Sequence, residues 1–130
     1  MKIIDTNIII RFLLKDHPTQ SKSTKKLLEN SPEDLLLPDM VIAEIIWLLT
    51  SYYKLSKRDI IEKIQDILTL EKIQANKDLI YKALMFYQTY NIDFIDAYLA
   101  AYCNEKKNIK GIYSFDKDFD KIKDIKRFEP

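Results

Sequence analysis

Lys2-Ile3-Ile4-Asp5-Thr6-Asn7-Ile8-Ile9-Ile10 decides how this chain is read. The short apolar run ending at Ile4 has the length of a buried strand, and it stops at an acid. Thr6 or Asn7 can cap a helix that starts there. A strand, an acid at its carboxyl end and a helix form the opening unit of an alternating α/β chain.

The pattern repeats outward from this opening. Pro18 starts a second helix, to about Leu28, and Asn30-Ser31-Pro32 stops it. Leu35-Leu36-Leu37 before Pro38 reads as a second short strand. From Asp39 a helix runs to about Tyr53, with Val41, Ile42, Ile45, Leu48, Leu49 and Tyr52 at helical spacing. Ser56 caps the next helix, which carries Ile60, Ile61, Ile64, Ile67 and Leu68. Lys72 to Ala75 is a weak third strand, and Asn76 or Lys77 starts the helix that follows. Asp93 caps another, with Ile95, Tyr98, Leu99, Tyr102 and Cys103 on one side and small residues Ala97, Ala100 and Ala101 suited to close packing on the sheet. Ile112 to Phe115 reads as a fourth strand ending at Asp116, and Ile125 to Phe128 as a fifth. Strands alternating with helices imply a parallel sheet covered on both faces. The 130 residues fit one domain, 1–130, with no linker or repeat.

Scarcity narrows the chemistry. The only glycine is Gly111, which excludes a phosphate-binding glycine loop, a dinucleotide fingerprint and a nucleophile elbow. His17 is the only histidine and Cys103 the only cysteine, so metalloprotease, serine-hydrolase and zinc-cluster readings lack parts. A metal site here must use oxygen ligands, which select magnesium or manganese. The formal net charge is +1, with 21 basic and 20 acidic residues, a balance that an acidic site and a phosphate-binding patch reach together by cancelling. No stretch approaches the roughly 20 apolar residues of a membrane helix. The amino terminus does not read as a signal peptide, and the simplest location is the cytoplasm.

Ligands of open α/β sheets bind beyond the carboxyl ends of the strands. Asp5 and Asp116 both fall there. Each alone reads as a turn or cap residue; two at equivalent positions point to a site. Glu44 is the only charged residue between Asp39 and Lys54, at the edge of an apolar stripe. It either reaches water or a basic partner, or points into a polar hollow that holds a cation. Asp93 and Asp96 share a helix face. Asp96 is the better ligand candidate, because Asp93 already has a capping role. Asp116-Lys117-Asp118-Phe119-Asp120 starts like a calcium loop, but Lys121 and Arg127 stand where Gly and Glu are required.

Asp5-Thr6-Asn7, Val41-Ile42-Ala43-Glu44 with Trp47-Leu48, Asp93-Phe94-Ile95-Asp96-Ala97-Tyr98-Leu99-Ala100 and Ser114-Phe115-Asp116-Lys117-Asp118-Phe119 occur in that order. Together they resemble the PIN-domain proteins, in particular the VapC-type toxins of toxin–antitoxin pairs, from position 3 to about 119. The resemblance implies a three-layer α/β/α fold with a parallel five-stranded sheet of order 3-2-1-4-5. It implies that Asp5, Glu44, Asp96 and Asp116 hold the metal and that Thr6, Asn7 and Ser114 support them. Asp93 and Asp118 match positions that are acidic in many members but not all.

These parts describe a magnesium-dependent endoribonuclease, with manganese as a substitute. Asp5, Asp96 and Asp116 are assigned as ligands, and Glu44 as a ligand or as the group that orients the attacking water. A metal-activated water attacking in line leaves 5′-phosphate and 3′-hydroxyl ends. Arg11, Lys15, Lys54, Lys57 and Arg58 are candidate phosphate contacts, although the favoured reading of any one of them alone is a solvated helix face. VapC-type relatives cut structured RNAs, often transfer RNAs, at a loop. The resemblance also implies a VapB-like antitoxin and a homodimer held through the helices between Asp39 and Leu70. Two rivals are a non-catalytic PIN-like module that binds RNA or protein, and a phosphatase with a strand-end Asp nucleophile. The second expects an Asp at position 7, where this chain has Asn7.

Overall fold

The computed structural model describes all residues, Met1–Pro130. Contacts gather the chain into two compact units, Met1–Lys77 and Asp78–Pro130. No helix is long and apolar enough to cross a membrane.

The first unit opens with strand β1 (Lys2–Ile3) and helices α1 (Thr6–Leu14) and α2 (Pro18–Asn30). It continues through β2 (Leu35–Leu36), α3 (Asp39–Ser51), α4 (Lys57–Leu68) and β3 (Ile73–Gln74). The strands form one sheet of order β1-β2-β3, parallel throughout, with Ile3 opposite Leu36 and Leu36 opposite Gln74. Parallel neighbours need crossover connections, and the helices supply them. The strands are shorter than the apolar runs that announce them. Backbone bonds carry the ladder one step further, with Ile4 N–H donating to Leu36 and Leu37 N–H to Gln74.

Burial of the first strand rests on Ile4, 2% exposed, whereas Ile3 is 68% exposed. Successive side chains of a strand point to opposite faces, so the run Ile3-Ile4 was too simply read as wholly buried. The amphipathic periods of the helices do their expected work. Ile9 and Ile10 of α1, Ile42, Ile45 and Leu49 of α3, and Ile60, Ile64 and Ile67 of α4 are buried, and α1 packs on α2 and α3, and α3 on α4. Ser56 accepts the Asp59 N–H at 3.1 Å as the cap of α4. Residue 17 adds a cap that the sequence reading did not name, the His17 ring nitrogen accepting the Gln20 N–H at 3.2 Å.

The second unit holds α5 (Lys77–Thr89, all but its first residue), α6 (Phe94–Glu105), β4 (Ile112–Tyr113), a 3-10 helix (Lys117–Lys121) and β5 (Arg127–Phe128). β4 and β5 pair in parallel, Tyr113 opposite Phe128. The orders 3-2-1 and 4-5 are thus both present, each in its own sheet. The buried side of α6 is Phe94, Ala97, Ala100 and Ala101. The expected apolar side fails, because Ile95, Leu99 and Tyr102 are 53%, 40% and 38% exposed. The alanines, at spacings of three and four, define the packed face because small side chains allow the closest approach.

Candidate active site

Local chain chemistry builds a carboxylate cluster in the second unit. The chain leaves β4 through Ser114, whose hydroxyl oxygen accepts the N–H of Asp116 at 2.9 Å. Asp116 then caps the 3-10 helix, its Oδ1 accepting the N–H of Asp118 at 2.9 Å. These two side-chain-to-backbone bonds are a favoured local habit of Ser and Asp, and they fix where the Asp116 carboxylate sits. Asp96 stands one turn into α6 and is half-buried. One carboxylate oxygen from each of Asp96, Asp116 and Asp118 lies within 4.8 Å of the other two.

The charge state follows from this crowding. Burial pushes the Asp96 carboxyl above its ordinary value, and the charges of Asp116, Asp93 and Asp118 push it further. Asp118 has one cationic neighbour, Lys121, at 2.8 Å, and Lys121 also donates to the Asn91 carbonyl. Three converging carboxylate oxygens form a hard donor set of excess negative charge, which fits a divalent cation such as magnesium. Asp93 acts on the charge of Asp96 but lies outside the group of three. It occupies the N-cap position of α6 without a side-chain cap bond. The capping role expected for it is therefore absent, and its backbone carbonyl alone takes the Ala97 N–H.

In the first unit, Asp5 is exposed at the carboxyl end of β1, and its Oδ1 accepts the Thr6 N–H at 2.7 Å. Asp5 is thus the N-cap of α1, in place of the expected Thr6 or Asn7. The reason is geometric: the cap residue must be the last extended one, and Asp5 is extended while Thr6 is already helical. Thr6 is buried and Asn7 exposed. Glu44 is exposed in the middle of α3, on a helix that also exposes Met40 and Trp47.

Of the candidate phosphate contacts, Arg11 is already engaged, bonding Asp16 at 3.2 Å and Gln20 at 2.9 Å. Lys15 and Lys54 are exposed and both adopt left-handed backbone, φ 55° and 57°, just past the ends of α1 and α3. Lys57 is half-buried, and Arg58 pairs with Glu62 at 3.6 Å.

Two features escaped the sequence reading. A cavity of about 830 Å³ opens in the first unit, with Phe12, Leu13, Ile67 and Leu70 among its apolar walls and Lys15, Lys22, Lys25 and Lys63 around it. Arg127 ties the end of the chain to the cluster's support. Its guanidinium holds Asp120 at 3.0 and 3.1 Å, Glu129 at 2.8 Å and the Ser114 carbonyl at 3.0 Å. The sequence signal for it was present, an Arg between two acids in a terminal strand, but nothing in the pattern said what it would grip.

The chain is similar to a VapC ribonuclease of Aquifex aeolicus (strain VF5), with 29% identity over 125 residues, covering 94% of this chain and 92% of that protein. Among solved structures it is similar to VapC20 of Mycobacterium tuberculosis, described as a sarcin-ricin loop cleaving toxin, at 20% identity and a TM-score of 0.44, over 93% of this chain and 94% of that one. The family model described as PIN domain matches residues 2–125, which takes in Asp5, Glu44, Asp93, Asp96, Asp116 and Asp118, and the chain belongs to the PIN-domain family.

Proposed function

We propose that this protein is a metal-dependent toxin ribonuclease of the VapC type, working as one nuclease domain over residues 1–130. The observation that carries the reading is the convergence of Asp96, Asp116 and Asp118 at the end of β4, in a chain that matches the PIN family along nearly its whole length. The similarity to a VapC ribonuclease supports RNA as the substrate. A bound magnesium ion would supply charge neutralisation and a more acidic water. Asp96 and Asp116 would hold it, with Asp118 beside them. Asp5 is a further ligand, and Glu44 a ligand or the group that orients the attacking water. Ser114 holds the Asp116 backbone in place, and Thr6 and Asn7 carry the support roles that the family resemblance gives them. Hydrolysis by water leaves 5′-phosphate and 3′-hydroxyl ends. The deciding experiment is incubation with total RNA, with and without magnesium, followed by mapping of cut ends. Cleavage in excess chelator, or cyclic phosphate ends, refutes the mechanism. Uncut RNA in magnesium refutes the enzyme.

The same reading brings partners and a cytoplasmic place of action. A VapB-like antitoxin is the expected inhibitor, and the cavity of the first unit suits an amphipathic acidic segment. Phe12, Leu13, Ile67 and Leu70 give it an apolar part, and four lysines line it against two acids, Glu29 and Asp66. A homodimer is expected through α3 and the residue that ends it, where Met40, Trp47 and Tyr52 are 84%, 63% and 73% exposed. Trp47→Glu should then give a monomer in sedimentation, and an unchanged dimer removes α3 as the interface.

A further inference from the structure

The segment that delivers Asp116 to the cluster also carries two large rings to the surface. Tyr113 and Phe115 are each 74% exposed, although aromatic side chains of this size ordinarily supply core. Ser114, between them, donates its backbone N–H to the Phe128 carbonyl at 3.0 Å, so the chain stays laddered through position 114. Phe115 follows in the bend after β4, directly before Asp116, so both exposed rings lie within three residues of the cluster. Phe128 adds a third ring opposite Tyr113, their centroids 5.7 Å apart, and the Lys126 ammonium lies 5.0 Å from the Phe128 ring centre. Lys117, on the other side of Asp116, is exposed.

Exposed rings flanked by cations, one residue away from a cluster built for a metal, match what a single-stranded nucleic acid requires. Bases stack on the rings, and phosphates meet the ammonium groups. RNA recognition relies on such unpaired, splayed bases far more than on duplex edges. A protein partner would not need the Lys126 ammonium over the Phe128 ring. We propose that Phe115 and Tyr113, with Lys126 beside Phe128, form a stacking platform for unpaired bases of the RNA strand held at the acid cluster, an assignment that rests on the ribonuclease reading. Because Phe115 directly precedes Asp116, a base on its ring belongs to a nucleotide next to the phosphate that is cut. The platform therefore selects single-stranded sites.

The test is binding of a dye-labelled, single-stranded oligoribonucleotide in chelator, where nothing is cut, beside the same oligomer with abasic positions. Phe115→Leu keeps apolar bulk and removes the stacking face; it should weaken binding about tenfold. Phe115→Trp should restore it, and Tyr113→Leu should weaken it in the same direction. The abasic oligomer should bind wild type and Phe115→Leu alike. Equal affinity of Phe115→Leu and wild type for the normal oligomer overturns the platform, and cleavage by wild type in magnesium would at the same time uphold the nuclease. Ring-dependent binding without any cleavage upholds the platform and overturns the nuclease. A change of oligomeric state in Phe115→Leu, with RNA affinity unchanged, overturns the platform in favour of a protein interface.

Discussion

Asp116 accepts the backbone N–H of Asp118 through Oδ1 at 2.9 Å, so one carboxylate both starts the 3-10 helix and belongs to the cluster of three. Two substitutions separate these roles. Asn keeps an acceptor oxygen and loses the charge, whereas Ala loses both. Both should abolish cleavage. Only Asp116→Ala should lose the cap, at a cost of about 1 kcal/mol relative to Asp116→Asn. Urea unfolding of the two variants in chelator measures the difference. Equal midpoints would mean that the cap contributes nothing and that the cluster is not locally pre-set.

Gly111 stands just before β4 with φ 157°, and a Cβ there would collide with the Lys126 carbonyl oxygen and come within 2.7 Å of the Phe128 ring. The colliding oxygen is also the one that accepts the Ile112 N–H at 2.9 Å, so relief by movement would break the ladder. Gly111→Ala should destabilise the fold by about 1–3 kcal/mol, with the loss centred on β4 and β5. Lys110→Ala, at an exposed neighbour, should be close to neutral. Similar melting temperatures for the two variants would contradict this account of the glycine.

Much of this architecture was legible because it depends on local rules. Pro18, Ser56 and Pro38 mark element boundaries by backbone chemistry that needs no tertiary context. The acids at 5 and 116 could be placed at strand ends because each directly follows an apolar run. The failures have a common origin in burial, which a one-dimensional pattern states only in part. Ile3 lies on the open face of a two-residue strand, and α6 turns its alanines inward and its larger residues outward. Glu44 was ambiguous for the same reason, and exposure on α3 is what the fold adds. Asp118 gained weight as a ligand because the 3-10 helix folds it back beside Asp96, a reversal that spacing alone does not reveal. What Arg127 grips was not legible, because Ser114 and Asp120 lie 13 and 7 residues from it and meet it only in the fold.

Arg127 binds Asp120, Glu129 and the Ser114 carbonyl, and Ser114 in turn holds the Asp116 N–H. Removing the guanidinium should therefore loosen Asp116 without touching a ligand. Arg127→Met should lower the melting temperature and weaken magnesium binding several-fold, and Arg127→Lys, a point charge without the planar fork, should recover only part of both. A pH effect accompanies this. The bond from Arg127 holds the Asp120 carboxyl below its ordinary value, so its stabilising contribution is present above that value and disappears as pH falls through the lower, folded one. Arg127→Met should flatten this acid-side loss. Wild-type metal affinity in Arg127→Met would show that the arginine serves only the end of the chain.

Asp96 has the opposite sign. Burial, and then the charges of Asp116, Asp93 and Asp118, hold its carboxyl above the ordinary value in the folded state. Ionising it costs more in the fold than in the unfolded chain. The penalty is absent below the ordinary carboxylate range, grows as pH rises from there through the folded value, and is complete above it. In chelator the wild type should therefore lose stability across this rise, and Asp96→Asn should not. The variant should melt higher than wild type at neutral pH and approach it at the acid end, while being unable to cut RNA. Magnesium binds the folded wild type and should stabilise it by RT ln(1 + [L]/Kd), about 2.7 kcal/mol at a hundredfold excess over Kd. Asp96→Asn should gain much less. Asp78→Asn, at an exposed acid on α5, should shift neither curve by more than about 0.5 kcal/mol. Thermal melts of the three proteins across pH, with chelator and with magnesium, decide the matter. If Asp96→Asn melts below wild type in chelator and responds to magnesium as wild type does, Asp96 is a structural acid and the cation belongs elsewhere.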